Sequence, residues 1–162
     1  MPITDAAART EAIADYRIIG APVEPSLEGL ARLATTLCHA GGAAVNIIDD
    51  RYQHSVATVG LDAASCDRED SMCAIVLPDA RHVFVTDARI DDRFRGNPFV
   101  TGERGHVRFY ASSPLITPAG VAIGTLCVFA EETGELTAEQ SAALDLLARQ
   151  AVRGARHRPP HP

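Results

Sequence analysis

The chain contains no tryptophan and no lysine, so its 15 lysine-plus-arginine residues are all arginines. They stand against 21 acidic residues, which gives a formal net charge of -6. The arginines form no cluster apart from a short group at residues 153–158. Because binding to nucleic-acid phosphates requires a concentrated cationic surface, the composition excludes nucleic acid as the main partner.

Long apolar runs are also absent. No stretch approaches the length needed to cross a bilayer, and the N-terminus lacks the basic region and apolar run of a secretory signal. We therefore expect a cytoplasmic protein without membrane contact. Thiols are normally reduced in the cytoplasm. A length of 162 residues predicts one domain with a normal core.

The four cysteines form no C-x-x-C pair and no zinc-type grouping with histidine. Cys73 is the candidate redox thiol, because Ser71 precedes it at the start of a short predicted helix whose free N–H groups favour a thiolate. The alternative for Cys73 is a small buried apolar residue lining the sheet. Cys66, in a loop seven residues before Cys73, is a second candidate redox thiol, and the alternative for it is an incidental role, because sequence spacing does not establish the separation that a disulfide requires. Cys38 and Cys127 lie in apolar patterns that predict structural roles.

Hydrophobic periodicity predicts two N-terminal helices, a central group of strands and a closing helix. Residues 87–105 have no convincing period, and a connection of that length is usually functional or mobile. This order predicts an α+β fold in which helices pack on an antiparallel sheet. The predicted helices cover residues 6–19, 25–38, 71–77 and 137–152, and the predicted strands cover 43–48, 52–59, 83–86, 107–116 and 121–129.

Thr137 and Gln140 have the spacing of a capping box, which places the start of the closing helix. Residues 154–162 carry three prolines and no apolar period. We therefore expect a single domain at residues 1–153 and a disordered tail at 154–162.

Residues 83–129 carry a set of motifs that resembles the GAF domains of bacterial sensor histidine kinases and diguanylate cyclases. The matching segments are DARIDDRF at 87–94, NPFV at 97–100, RFYASSPL at 108–115 and GTLCV at 124–128, with DDRYQ at 49–53, GLD at 60–62 and SMC at 71–73 upstream. The resemblance implies a central antiparallel sheet of five to six strands, in a GAF-like fold related to profilin and PAS domains. It places the first and last helices together on one sheet face and a pocket, covered by residues 62–105, on the other.

The resemblance also implies a ligand pocket, although the sequence does not fix which parity of the strand at 107–116 faces inward. The predicted lining is Met72, Cys73, Ile75, Val76, Phe94, Phe99, Val100, His106, Phe109, Ala111 and Ser113. The opposite set on that strand is Arg108, Tyr110 and Ser112. Binding of a small anion at the N-terminus of the Ser71 helix is a further alternative.

Three histidines, His54, His82 and His106, are each isolated in the sequence, so we predict no metal site. His106 is the best placed of them for haem, although a solvent-facing or backbone-bonded role is favoured. The alternating aspartates and arginines of residues 87–95 predict a loop held by its own opposite charges rather than a catalytic group. The chain also lacks the lysine-containing element of cyclic-nucleotide GAF domains and a recognisable bilin-type cysteine motif.

The sequence thus favours a non-enzymatic bacterial GAF domain that senses a small molecule or redox state. No cofactor is assigned beyond an unidentified small-molecule ligand. We expect its output to pass through the terminal helices, as a homodimer or to a signalling partner such as a kinase or regulator. One alternative is an enzyme like the free methionine-(R)-sulfoxide reductases, although residues 74–126 lack the attacking cysteine of that branch. The other is a ligand-free dimerisation scaffold.

Overall fold

The protein is described by a computed structural model that covers residues 2–60 and 66–156. Two helices open the fold, α1 at Ala6–Tyr16 and α2 at Pro25–Cys38. The Asp5 carboxylate accepts the Ala8 N–H at the start of α1, and α1 ends where Arg17 takes a left-handed conformation (φ 52°). The helix predicted over residues 6–19 is therefore three residues too long at its C-terminal end.

Strands β1 (Gly42–Ile48) and β2 (Tyr52–Val59) form the predicted hairpin. Its turn is fixed by Asp49, whose Oδ1 accepts the N–H groups of Arg51 at 2.8 Å and Tyr52 at 2.7 Å. An aspartate side chain that bonds backbone N–H groups two or three residues on is a common way to build a turn. The hairpin prediction is confirmed.

Short elements fill the segment between the hairpin and the C-terminal strands. They are β3 (Cys66–Asp67), α3 (Met72–Val76), β4 (Val83–Val85) and α4 (Pro98–Thr101), with single 3-10 turns at Arg68–Asp70, Leu77–Asp79 and Ala88–Ile90. Helix α4 begins at Asn97, whose side chain accepts the Phe99 N–H at 2.9 Å. Residues 87–105 are thus built from capped turns and a short helix, which have too few residues to show a period.

The C-terminal part consists of β5 (Phe109–Ile116), β6 (Ala122–Ala130) and α5 (Ala138–Arg156). The capping box before α5 is confirmed, because Thr137 Oγ1 accepts the Gln140 N–H at 3.1 Å and Gln140 Oε1 accepts the Thr137 N–H at 2.8 Å. Helix α5 continues through Arg156, so residues 154–156, which were expected to belong to the tail, are helical. Residues 157–162 lie outside the described part of the chain.

The strands form one antiparallel sheet in the order β3-β2-β1-β6-β5-β4. Six strands and helices on the sheet confirm the predicted α+β class. Helices α1, α2 and α5 pack on one face of the sheet and enclose the helix-side core, which includes Ile13, Leu27, Val45, Phe109 and Leu144. Helices α2 and α5 run antiparallel, since Gln140 contacts Leu37 at one end and Gly154 contacts Leu27 at the other. The last helix therefore packs directly on α2.

The opposite face carries a second, separate core, the pocket-side core. It is formed by β1, β4, β5 and β6 together with the short elements between β3 and β5. Its largest completely buried side chain is Phe94. The sheet is consequently buried on both faces, and this explains why the whole of β1 is buried.

Candidate functional site

Side chains of β5 alternate between the two cores, and the alternation corrects part of the predicted pocket. Phe109 and Ala111 lie in the helix-side core, and Ser113 donates a hydrogen bond to Asp145 of α5. Tyr110 lies in the pocket-side core. Phe109, Ala111 and Ser113 of the expected lining therefore face the helices, and the parity that the sequence left open places Tyr110 on the pocket side.

A cavity of about 90 Å³ lies in the pocket-side core, between α3, α4 and the sheet. Of the residues in the predicted lining, Met72, Cys73 and Phe99 line this cavity. Val76, Phe94 and Val100 belong to the same core without being among the lining residues, and His106 is solvent-exposed beside Gly102. The remaining lining residues are Ala44, Asn46, Gln53, Val107, Tyr110, Cys127 and Phe129.

Two thiols meet at one amide at the base of this cavity. Asn46 Nδ2 donates to the Sγ of Cys73 at 3.5 Å and to the Sγ of Cys127 at 3.4 Å. Ser55 fixes the amide, because its hydroxyl donates to Asn46 Oδ1 at 2.8 Å. The Tyr110 hydroxyl lies 2.9 Å from Cys73 Sγ. We call Cys73, Cys127, Asn46 and Tyr110 the thiol cluster.

Two further hydroxyls, of Ser112 and Thr125, are buried next to the thiol cluster. They lie close enough to affect the pKa values of Tyr110 and Cys73 respectively. Neither makes a hydrogen bond of good geometry with any atom of residues 2–60 or 66–156. Buried polar groups are normally paired, so the cluster retains unused hydrogen-bonding capacity.

The surroundings favour the thiolate of Cys73. Burial raises the pKa of this thiol, but the neighbouring polar groups of Cys127, Thr125, Tyr110 and Asn46 outweigh burial and lower it to about 7. The pKa of Cys127 is raised by its hydrogen bond to Cys73 and by burial. The pKa of Tyr110 is also raised, by burial and by the neighbouring Cys73 charge. Cys73 is thus the member of the pair that ionises first.

The cause of this low pKa differs from the one that the sequence suggested. We expected free N–H groups of the α3 N-terminus, but Ser71 Oγ accepts the Ala74 N–H at 3.0 Å. Helix α3 has only five residues. Side chains from β1, β5 and β6, rather than the helix terminus, therefore stabilise the Cys73 thiolate.

The partner of Cys73 also differs from the expected one. Cys66 is buried on β3, outside the cavity lining, and burial raises the pKa of its thiol to about 11. Cys127, expected to be structural, contributes to the thiol cluster instead. Cys38 packs in the helix-side core as predicted. Asn46 was the available sequence signal, since an amide inside the apolar run 43–48 must find a partner.

The histidines do not gather at the cavity. His54 pairs with Asp49 at 2.7 Å, and His82 bonds Ser113 at 3.0 Å near Asp145 on the other side of the sheet. Within the described ranges, no group of three or more His, Cys, Asp or Glu residues is arranged to hold a metal ion.

The charged loop has the structural role that the sequence predicts. Arg89 bonds both carboxylate oxygens of Asp87, at 2.9 and 2.8 Å, and Arg93 bonds both of Asp91, at 3.1 and 3.0 Å. The aspartates also accept the backbone N–H groups of these arginines. These pairs hold the loop around the buried Phe94, so the prediction is confirmed.

A larger surface depression of about 570 Å³ lies beside the β1–β2 turn. Its charged residues are of both signs, Asp50, Arg51, Asp67, Arg68 and Glu69. Arg68 already donates to the Asp49 carbonyl at 2.7 Å. We favour the smaller cavity as the functional site, because buried polar groups and two thiols converge on it.

A six-stranded antiparallel sheet with helices on one face and a small cavity on the other is the architecture of GAF-like α+β domains. The sequence profile of the GAF domain matches residues 22–153. The chain therefore belongs to the GAF domain family, as its motifs indicated. No helix in residues 2–60 or 66–156 is long and apolar enough to cross a membrane.

Similar proteins include signalling proteins. The chain is 38% identical over 117 residues to a cyclic di-GMP phosphodiesterase of Pseudomonas aeruginosa, covering 72% of this chain and 20% of that protein. The chain thus spans about a fifth of that relative's length. The GAF domain of an Acinetobacter phosphoenolpyruvate-protein phosphotransferase has a TM-score of 0.68 at 13% identity and covers 96% of each chain. A type II free methionine-R-sulfoxide reductase of Thermoplasma acidophilum has a TM-score of 0.64 at 13% identity, covering 79% of this chain and 88% of that one. At these identities the two structures support the fold alone.

Proposed function

We propose that this GAF domain is a non-enzymatic sensor whose sensing site is the cavity beside the thiol cluster. The observation that carries the proposal is the convergence of Asn46, Tyr110 and two thiols on a cavity in the pocket-side core. Buried polar groups in a mostly apolar cavity orient a ligand and give it specificity. With a volume of about 90 Å³, the cavity suits a ligand of roughly the volume of three water molecules.

The sheet supplies a route from the cavity to the helices. Strands β1 and β5 carry side chains alternately into the two cores, so Asn46 lies between Val45 and Ile47, and Tyr110 between Phe109 and Ala111. A ligand that shifts either strand changes the surface on which α2 and α5 pack. Such a ligand alters the output only if it binds the shifted and the unshifted arrangement of the strand with different affinities.

We further propose that the output surface is the outer side of α2 and α5. Leu33, Leu37 and Leu146 are 45, 39 and 51% exposed there, which is high for leucine. An apolar surface of this kind suits a homodimer or a signalling partner in the cytoplasm. The similarity to part of a cyclic di-GMP phosphodiesterase supports a role in signalling. We do not propose the phosphodiesterase activity of that relative for this chain.

Thiol-based reduction of free methionine sulfoxide is less well supported. The thiol cluster favours thiol chemistry, but ligand pockets for drug-sized molecules are about 300–1,000 Å³. The cavity beside Cys73 is about 90 Å³. An amino-acid substrate would therefore require the loops above Cys73 to open.

Ligand-observed NMR with a library of small polar fragments tests the proposal. We expect fragments to bind the wild type and to change hydrogen exchange in α2 and α5. They should fail to bind Ala44→Leu, whose larger side chain fills the cavity from β1. A thermal melt checks that this variant folds. Binding that persists in Ala44→Leu, or binding without any change in the helices, contradicts the proposal.

A further inference from the structure

We propose that Cys73 and Cys127 form a reversible disulfide when a small hydroperoxide enters the cavity beside them. The inference rests on the proposed sensing site and specifies its chemistry. It makes the oxidation state of this thiol pair the signal that the domain reads.

Geometry selects this pair from the four free cysteines. Cys73 and Cys127 both line the cavity, both accept from Asn46 Nδ2 and both lie in the pocket-side core. Cys38 is in the helix-side core across the sheet, and Cys66 is outside the cavity lining. The two sulfurs of the pair are thus neighbours although 54 positions separate them in sequence, 73 and 127.

Within the pair, Cys73 is the attacking thiol. Its sulfur lies 2.9 Å from the Tyr110 hydroxyl and accepts from Asn46, and both groups stabilise a negative charge on sulfur. The thiolate is the reactive form of cysteine. The lowered pKa of Cys73 and the raised pKa of Cys127 support the same assignment.

Cavity size selects the oxidant. Cys73 is 2% exposed, so a reagent reaches its sulfur through the cavity of about 90 Å³. Hydrogen peroxide fits this volume, and a bulky organic hydroperoxide does not. The same restriction keeps large cellular thiols away from the sulfenic acid before Cys127 reacts.

The reaction balances in two steps. The Cys73 thiolate attacks one peroxide oxygen, the O–O bond breaks, and a sulfenic acid and hydroxide form. The hydroxide takes the Cys127 proton and becomes water. The Cys127 thiolate then attacks the Cys73 sulfur, the S–O bond breaks, and the departing hydroxide takes a proton from solvent. Peroxide is reduced to water while the two thiols are oxidised, and an external dithiol reverses the step.

The disulfide would tie α3 to β6. Strand β6 lies at the centre of the sheet between β1 and β5, and it also supplies Leu126 and Val128 to the helix-side core. Oxidation also removes the thiol acceptors of Asn46. The bond therefore acts on the sheet whose other face carries α2 and α5.

Peptide mapping tests the inference directly, because trypsin cleavage after arginine places each cysteine on a different peptide: 33–51, 52–68, 69–81 and 109–149. The folded protein is treated with hydrogen peroxide, and its remaining thiols are alkylated. We expect peptides 69–81 and 109–149 to become joined, and dithiothreitol to separate them. At neutral pH Cys73 should react at least about tenfold faster than Cys38, because its thiolate fraction is larger.

Three variants sharpen the test. Cys38→Ser is the matched control and should still form the cross-link. Cys127→Ser should stop at a Cys73 sulfenic acid, which dimedone traps once the protein is unfolded in its presence, and Cys73→Ser should leave Cys127 reduced. Circular dichroism establishes that each variant is folded, and the peptide map of the peroxide-treated wild type keeps the test informative if a variant is not. The inference is overturned if Cys73 does not react in the folded protein, or if it pairs with Cys66.

The outcome is separable from the proposed function. If the protein does not cross-link but fragment binding changes hydrogen exchange in α2 and α5, the disulfide is contradicted and the proposed sensor function is supported. If the Cys73–Cys127 bond forms without any change of hydrogen exchange in α2 and α5, the disulfide is supported and the proposed sensory output is contradicted.

Discussion

Asn46 decides the chemistry of the cavity at the scale of single residues. It is 1% exposed, and its amide makes hydrogen bonds to Ser55 and to both sulfurs of the thiol cluster. A buried amide without partners would destabilise the protein by about 1–3 kcal/mol. The two thiols therefore supply hydrogen-bond acceptors to the Asn46 amide, and the amide in turn orients the thiols. The three residues therefore act as a unit, and replacing one changes the other two.

The ionisation of Cys73 predicts a pH dependence of stability. Burial raises its pKa, but the neighbouring polar groups of Cys127, Thr125, Tyr110 and Asn46 outweigh burial and lower the pKa to about 7, from an ordinary 9.0. Between these values the folded thiol is ionised while the unfolded thiol keeps its proton. The free energy of unfolding should therefore rise by on the order of 1–2 kcal/mol from pH 7 to 9 and be lost again as pH falls through 7.

Urea denaturation under reducing conditions across this pH range measures the effect. Cys73→Ser should lack the rise between pH 7 and 9. Cys38→Ser is the control and should show at least as large a rise, because burial raises the pKa of the Cys38 thiol, so in the wild type this thiol ionises first in the unfolded chain and opposes the rise. An equal rise in Cys73→Ser would show that another group is responsible.

At the scale of elements, β6 can pack against β1 because Gly124 has no side chain. A Cβ atom at this position would overlap the Asn46 carbonyl oxygen of β1. Gly124→Ala should therefore separate the two central strands and destabilise the protein by more than about 3 kcal/mol. Thermal and urea unfolding measure the loss.

Gly29→Ala provides the matched control. Gly29 lies on the exposed side of α2, and a Cβ atom there would have no neighbour within 4 Å. This substitution should stabilise the protein by about 0.5–1 kcal/mol, because alanine is the better helix former. If both substitutions had small effects, the close approach of β6 to β1 would not be required.

The elements also show which parts of the fold local sequence determines. The β1–β2 turn depends on Asp49 and the start of α5 on Thr137 and Gln140, whose partners lie within three residues. Such contacts are visible in the sequence, and these predictions are confirmed. The parity of β5 depends on which core each side chain enters, and with both faces buried the sequence carries no mark of it. The meeting of Cys73 with Cys127 depends on the whole sheet order and could not be predicted locally.

At the scale of the whole molecule, one sheet separates the proposed sensing face from the proposed output face. The thiol cluster and cavity lie on one side, and α1, α2 and α5 cover the other. In the proposed scheme the signal is a change in the sheet that both cores share. The proposed dimer surface is the part of this scheme that solution measurements test most directly.

Leu33→Glu should abolish the proposed homodimer, because it places a charge on the exposed apolar side of α2. Ile90→Glu is the matched control, since Ile90 is 82% exposed and follows β4, away from the helices. In sedimentation velocity we expect a dimeric wild type, a monomeric Leu33→Glu and a dimeric Ile90→Glu. A wild type that stays monomeric at all accessible concentrations would leave a separate signalling protein as the partner of the helices. A dimer that survives Leu33→Glu but not Ile90→Glu would instead move the contact to the loops around the cavity, where partner binding and sensing would share one face.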